Sequence, residues 1–388
     1  MPRIGYTAEA VAYNPGRMPL KYLNPATELS EIQLVWTGLN SSVCSYFLSW
    51  PWIENWLQTL PNQAKVRLAV WQNGGQSVAA FFLGIRRIRR HGFVSSRAAF
   101  LTETGLPDCD RLCVEQNTIL TGPGVSVSFP TLLEWLPEPW DEFFLSAVPA
   151  NNPLLLSSPE QFKIRHKVTS AHVDLEKVRA TGNYLQQLSP NTRWQVKRAY
   201  RGYTEQYGPV RLKVASTLEE ARATYSELKQ LHQARWQAKG QSGAFSSEYF
   251  DNFHRRLIER RFGTGEIQLL TVLAGSRVIG CHYNFIYNGR VSFYQSGFSF
   301  DDDKRLKPGY VCHTEAIQHN AAQGAAQYDF LGGPDRYKLS LATGTQDVVW
   351  VVVQKRKLIF ALEEWLRRLV LEGYYRRVRP NDPPGGDS

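Results

Sequence analysis

No apolar run in this sequence of 388 residues approaches the roughly 18 that a membrane-crossing helix needs; the best, Val348–Val353, has the length of a strand. The first twenty residues, MPRIGYTAEAVAYNPGRMPL, lack the apolar stretch of a secretory signal. Cysteine is scarce. Cys44, Cys109, Cys113, Cys281 and Cys312 are odd in number and scattered, without a CxxC pair, which suits a reduced, cytoplasmic protein. Cys109 and Cys113 have no nearby histidine, and His313 and His319, six apart, do not share a helix face, so no metal is expected. GxSxG, HExxH and the GxxxxGKS/T phosphate loop are missing, which argues against a serine hydrolase elbow, a zinc protease helix and a P-loop.

What is present points to a packed, basic protein. The 11 Trp, 18 Tyr and 19 Phe are far more than a disordered chain carries. The formal net charge is +10, with clusters at Arg86–Arg90, Arg193–Arg201, Arg255–Arg261 and Lys304–Lys307. Such a surface suits anionic ligands such as a nucleotide cofactor, RNA, acidic glycans or anionic lipid, although any one cluster reads first as a solvated face. The length fits two domains.

The two halves echo each other. In the first, strand-like Val66–Val70, a turn at Gln72–Gly75, strand-like Ser77–Leu83 and a third strand after His91-Gly92 form a meander. In the second, Ile267–Leu273, Val278–Ile286 and Arg290–Phe298 are strands, joined at Gly275–Arg277 and by an Asn288-Gly289 hairpin turn. Helices precede both meanders. Pro51 with Trp52 and Trp56 starts one, Ser189-Pro190 another, and Ser216-Thr-Leu-Glu219 reads as a capping box. Duplication of a whole domain explains this better than a solenoid. The expected division is a loosely packed segment at 1–34, a first domain at 35–165, a second at 166–375 and a disordered tail at 376–388, with Phe162–Val173 opening the second half.

The richest segment runs from Arg290 to Lys338. A strand is followed by the basic loop DDDKRLKPG, a helix ending near Gly324, a short strand AQYDFL and the turn GGPD. The free N–H groups at a helix start, backed by Lys304, Arg305 and Lys307, suit a pyrophosphate, and Gly309 lets backbone approach it.

At this point the chain resembles the GNAT acyltransferases, in their FemAB-like branch, and most of all the CelD-like group associated with cellulose or exopolysaccharide biosynthesis. The resemblance rests on Phe47–Trp50 with Trp56, on Thr102–Leu120, on Ser189–Arg201, and on Arg235-Trp236 with Gly240 and Phe245. Lys307-Pro308-Gly309 and Asp329–Gly333 with Tyr337-Lys338 complete it. It spans about residues 35–370. Val311 departs from the GNAT phosphate loop, which carries a second small residue there.

The resemblance implies an α+β fold of two tandem GNAT-like domains, each a twisted, mixed, mostly antiparallel sheet flanked by helices. It implies acetyl-CoA or another acyl-CoA as cofactor, bound only by the second half, and an amine-bearing small molecule, sugar or peptide as acceptor. The implied cofactor contacts are Gln295, Ser296, Gly297, Lys304, Arg305, Lys307, Gly309 and Tyr310. Tyr337, His282 and Glu315 are the catalytic candidates, with Tyr337 as proton donor to the leaving thiolate. Tyr294, Asp329, Lys338, Arg235 and Trp236 are candidates for the acceptor site. Against these stand plainer readings: Tyr337 as packing and His282 as a core residue. A Fem-type transferase using aminoacyl-tRNA and a non-catalytic polysaccharide-assembly protein remain open beside the CoA-dependent enzyme.

Overall fold

The computed structural model describes residues 20–39, 45–112, 114–333 and 336–367. Residues 1–19, Cys44, Cys113, Pro334 and the expected tail at 376–388 lie outside the described residues. The first half comprises β1 (Leu20–Leu23), α1 (Leu29–Leu39), α2 (Trp50–Thr59), β2 (Val66–Asn73), β3 (Gln76–Arg90), β4 (Val94–Leu101), β5 (Leu120–Thr121), α3 (Phe129–Glu134), β6 (Glu142–Pro149), α4 (Pro153–Leu156) and β7 (Lys163–Asp174). The second comprises α5 (Leu175–Thr181), α6 (Pro190–Tyr207), β8 (Val210–Val214), α7 (Leu218–Ala238), α8 (Glu248–Arg261), β9 (Ile267–Ala274), β10 (Arg277–Tyr287), β11 (Arg290–Phe298), α9 (Pro308–Ala322), β12 (Gln327–Asp329), α10 (Arg336–Leu341) and β13 (Gly344–Gln354).

The local signals behave as their chemistry dictates, with small shifts. Ser189 Oγ accepts the Thr192 N–H and caps α6. The cap of α7 sits one residue later than the spacing suggests: Thr217 Oγ1 accepts the Glu220 N–H, and Glu220 reaches back to the Ser216 N–H. Asn288 and Gly289 both take positive φ, as a two-residue hairpin turn requires. β3 runs through Arg86–Arg90, well past its apolar part, because β4 pairs with it along its whole length. Residues 20–34, expected to pack loosely, instead form an edge strand on β2 and the start of α1, anchored by buried Leu23 and Ile32.

All strands join one sheet in the order β1-β2-β3-β4-β6-β13-β7-β12-β11-β10-β9-β8, with β5 on β3. The expected repeat is visible in the pairing. β1 to β4 form an antiparallel meander and β4 runs parallel to β6; β8 to β11 form the second and β11 runs parallel to β12. The halves exchange their last strands. β7 follows the first half in sequence yet pairs with β12, and β13 follows the second half yet pairs with β6. β7 and β13 pair with each other at the centre, so the division expected between residues 165 and 166 falls inside β7.

A core on one face of the sheet unites the halves. Trp36, Phe47, Trp52 and Trp56 from the first pack with Tyr225, Phe253, Tyr283 and Phe285 from the second. No helix among the described residues is long and apolar enough to cross a membrane.

Candidate active site

β11 and β12 are in register only from Arg290–Ser292 to Gln327–Asp329. β12 then ends, while β11 continues to Phe298 along β10, so the strands part into a cleft. Gln295, Ser296 and Gly297 lie on β11 beyond this parting. Gly297 is required there by contact, since a Cβ would meet Leu228 O at 2.4 Å and block the seating of α7. Past the end of β11, the loop returns the chain to the N-terminus of α9, which opens at the same cleft.

The charges of that loop are partly taken. Arg305 pairs with Asp303 at 2.7 Å, which holds the Asp303 carboxyl well below its ordinary range. Lys307 Nζ donates to Gln195 of α6. Lys304 is exposed. Gly309 lies against Tyr337, where a Cβ would come within 3.3 Å of ring carbon Cε2. Tyr310 Oη is 3.2 Å from Ser340 Oγ of α10. The turn of α9 thus bears directly on α10.

On the α9 face of the sheet, His313 sits at the centre of an aromatic cluster. Its Nδ1 is 3.1 Å from Tyr328 Oη and its Nε2 is 3.3 Å from Tyr337 Oη. His282 stacks 4.5 Å away, ring to ring, with Phe293 and Phe298 around it. Both ring nitrogens of His282 are buried without a hydrogen-bond partner. Burial lowers the pKa of His282 to about 3 and drives that of His313 well down, so both imidazoles are neutral at physiological pH.

A second set of polar groups meets the cleft from the opposite face. The Glu115 carboxylate, from the first half, accepts the Gly332 N–H on both oxygens at 3.0 and 2.9 Å. Burial raises its pKa to about 7, against the lowering effect of that hydrogen bond. The residue before Gly332, Leu331, holds a positive φ of 55°. Lys338 reaches in from α10, donating to Phe330 O at 3.0 Å with its ammonium 5.4 Å from the Phe293 ring centroid. Asp329 accepts from Ser170 Oγ and the Leu331 N–H, and faces Arg290 at 3.4 Å. Tyr294 donates to Leu112 O and lies 3.1 Å from His254 Nε2.

Of the residues singled out from sequence, His282 and Tyr337 meet at His313, Gly309 abuts Tyr337, and Lys338 and Asp329 lie where β11 and β12 part, while Tyr294 packs with Trp52 and His254 in the core shared by the halves. Glu315 faces α6, where Tyr200 Oη donates to it at 2.6 Å. Arg235 and Trp236 lie near the end of α7, Arg235 over the ring of Phe300 at 4.1 Å and Trp236 beside His232. Sequence reasoning passed over His313, weighed only as a metal partner of His319. It also passed over Glu115, whose signal was a glutamate beside apolar Val114 in a stretch already singled out for its resemblance. No group of three or more metal-ligating side chains occurs among the described residues.

Comparison with known proteins bears on the fold. Residues 190–339 match the Acetyltransferase (GNAT) domain family model, a span that runs from α6 through the cleft to α10. No curated protein matches the chain. Among solved structures, FemX is similar with a TM-score of 0.53 at 10% identity, covering 88% of this chain and 99% of its own. A conserved protein of unknown function from Bacteroides thetaiotaomicron gives a TM-score of 0.51 at 10% identity, with 87% and 100% covered. At such identity these likenesses speak for the fold alone. The chain has an α+β fold of two halves with the same strand pairing, and residues 190–339 match the GNAT domain model.

Proposed function

We propose that the chain is an acyltransferase that moves an acyl group from acyl-CoA to an amine acceptor, with the whole reaction confined to the cleft between β11 and β12. The observation that supports this most is the parting of those strands in front of the α9 N-terminus. It offers strand edge for the amides of a pantetheine arm and free helix N–H groups for a pyrophosphate. Lys304 and Lys307 would add charge there, and Gly309, Tyr310, Gln295, Ser296 and Gly297 would line the path.

The side chains then divide the proton work. The acceptor nitrogen must be neutral to form its bond to the thioester carbonyl carbon. Glu115 is suited to take the proton it sheds, because its pKa of about 7 leaves a substantial carboxylate fraction that is still basic. As the C–S bond breaks, Tyr337 can donate its proton to the sulfur. The neutral His313, 3.3 Å from that hydroxyl, fixes its orientation. Lys338 holds its ammonium at the parting of the strands, where negative charge on the carbonyl oxygen would develop. His282 packs behind His313 and supports its position.

For the acceptor, we favour a sugar amine or related envelope or polysaccharide precursor, in keeping with the CelD-like resemblance. A division into catalytic and supporting halves near residue 165 belongs to the same proposal. The competing reading, transfer from aminoacyl-tRNA, shares the fold and is separated by one measurement. Thermal melting is followed with acetyl-CoA, longer acyl-CoAs and aminoacyl-tRNA, since only a true ligand stabilises by mass action. A shift with acyl-CoA that is absent with tRNA supports the proposal; the reverse outcome replaces it.

A further inference from the structure

Beyond the cleft, Lys65, Arg87 and Arg97 lie on one face of the sheet with no ion-pair partner among the described residues, and Arg86 borders them from the other face. Lys65, Arg86, Arg87 and Arg97, with Gln63, Ile85 and Thr104, line a concavity of about 350 Å³ on the first half. All four are exposed, and no carboxylate is among the lining residues. Arg87 and Arg97 are direct cross-strand partners on β3 and β4. Like charges in that position repel and cost stability.

The surroundings make the omission informative. Three residues further along β3, Arg90 is clasped by Glu142 and Glu363. At the same region of the sheet, Lys163 pairs with Glu364, Lys355 with Glu138 and Lys357 with Asp141. Asp141 also accepts the backbone N–H of Arg97, so a carboxylate is close by yet engaged with Lys357. Arg86, on the other face, makes a long 3.5 Å contact to Gly105 O and favours the charged form of Asp110. The nearest acids beneath are buried. Glu103 is raised to about 8 and so mostly protonated at neutral pH, and Asp110 accepts from both the N–H and the hydroxyl of Thr104. Neighbouring cations are neutralised by the protein; Lys65, Arg87 and Arg97 are left for a ligand. Two of these three are arginines, whose planar forks match phosphate oxygens two at a time.

We infer that this concavity is a binding site for a small ligand bearing clustered phosphate groups, separate from the acyl-transfer cleft. The inference stands whether or not the acyl-CoA proposal holds. Inorganic pyrophosphate is the probe, titrated by calorimetry into the full chain, the R87Q/R97Q double variant and the Gly309→Glu variant. Gly309→Glu, whose α9 helix start is closed, should bind one equivalent saturably, and wild type should bind that same equivalent besides any taken at α9. The double variant should bind it at least roughly ten-fold more weakly, the scale expected when two charge-assisted contacts go. The double variant should melt no lower than wild type without ligand, because it loses a repulsion and no core contact. Absence of saturable binding to wild type overturns the site, as does equal binding by R87Q/R97Q. Loss of binding in Gly309→Glu alone would assign the pyrophosphate to the α9 loop instead.

Discussion

The two halves of the molecule solve the same strand geometry in opposite ways. In the second half, β11 and β12 part and the Lys338 side chain reaches Phe330 O beside the gap. In the first, β4 and β6 part after Phe100 and Phe144, and the chain itself closes the gap. Asn117 bridges it: its backbone N–H donates to Ala147 O and its Nδ2 to Leu101 O, both about 3 Å. β5, three residues on, locks this segment onto β3. Where α9 supplies a 15-residue helix and its free N–H groups, the matching stretch after β4 has one short 3₁₀ turn at Cys109–Leu112. At the matching place after β4, the described residues of the first half thus show neither an open strand edge nor an α-helix start. The segment that plugs it also reaches its neighbour, because Glu115, two residues before Asn117, presents its carboxylate to Gly332.

This contrast can be broken most severely at Gly309. Gly309→Glu should abolish acyl-CoA binding by setting a carboxylate at the helix start and a bulky side chain against Tyr337. Calorimetric binding equal to wild type would remove the α9 loop from the cofactor site. Next, Glu115→Gln should leave acyl-CoA affinity intact and lower turnover by roughly 10²–10⁴-fold. Wild-type activity should fall as pH drops through about 7, where the carboxylate takes up its proton, and the variant should lack that limb. A variant profile with the same limb would mean that another group is the base.

Tyr337→Phe should fall within the same range but toward its lower end, about 10²-fold, because water can reprotonate a thiolate in its place. Turnover at the wild-type level would leave Tyr337 a packing residue. Asn117→Ala should spare catalysis and cost roughly 1–3 kcal/mol of stability, from a buried carbonyl left without its donor. Denaturant unfolding measures this, and a neutral result would show that the plug is not held by Asn117.

The smallest effect concerns Glu103, which accepts from Ser146 Oγ and is raised to about 8 by burial beside Asp110. The unfolded chain releases this proton near pH 4.5 and the folded chain near pH 8, so stability should decline as pH rises through that window. Glu103→Gln should flatten the decline and raise Tm at pH 9 by a few degrees. A Tm gap that does not change with pH would contradict the buried neutral acid.

The elements themselves were largely legible in the sequence. Ser189, Thr217 and Ser247 cap their helices with side chains three residues from the bonded N–H, and Asn288-Gly289 closes its hairpin, because such signals act over a single turn of chain. The basic Gly loop before α9 was legible for the same reason. Glu315 misled: its spacing on α9 cannot say whether it faces the sheet or α6, and that is settled by what packs there.

What only the tertiary structure decided depends on contacts between segments far apart in sequence. The exchange of β7 and β13 is invisible locally, since either strand reads alike whichever half it joins. Glu115 and Gly332 are 217 residues apart, and the raised pKa of this carboxylate comes from burial, which no neighbour in sequence supplies. Lys65, Arg87 and Arg97, without an ion-pair partner among the described residues, look in sequence like any solvated cations. Their meaning rests on which acids fold beside them and which do not. The sequence by itself determined the repeated meanders and the donor-side loop, because these are written in short-range patterns. The pairing of strands across halves, the closing of one cleft and the arming of the other were decided by long-range packing.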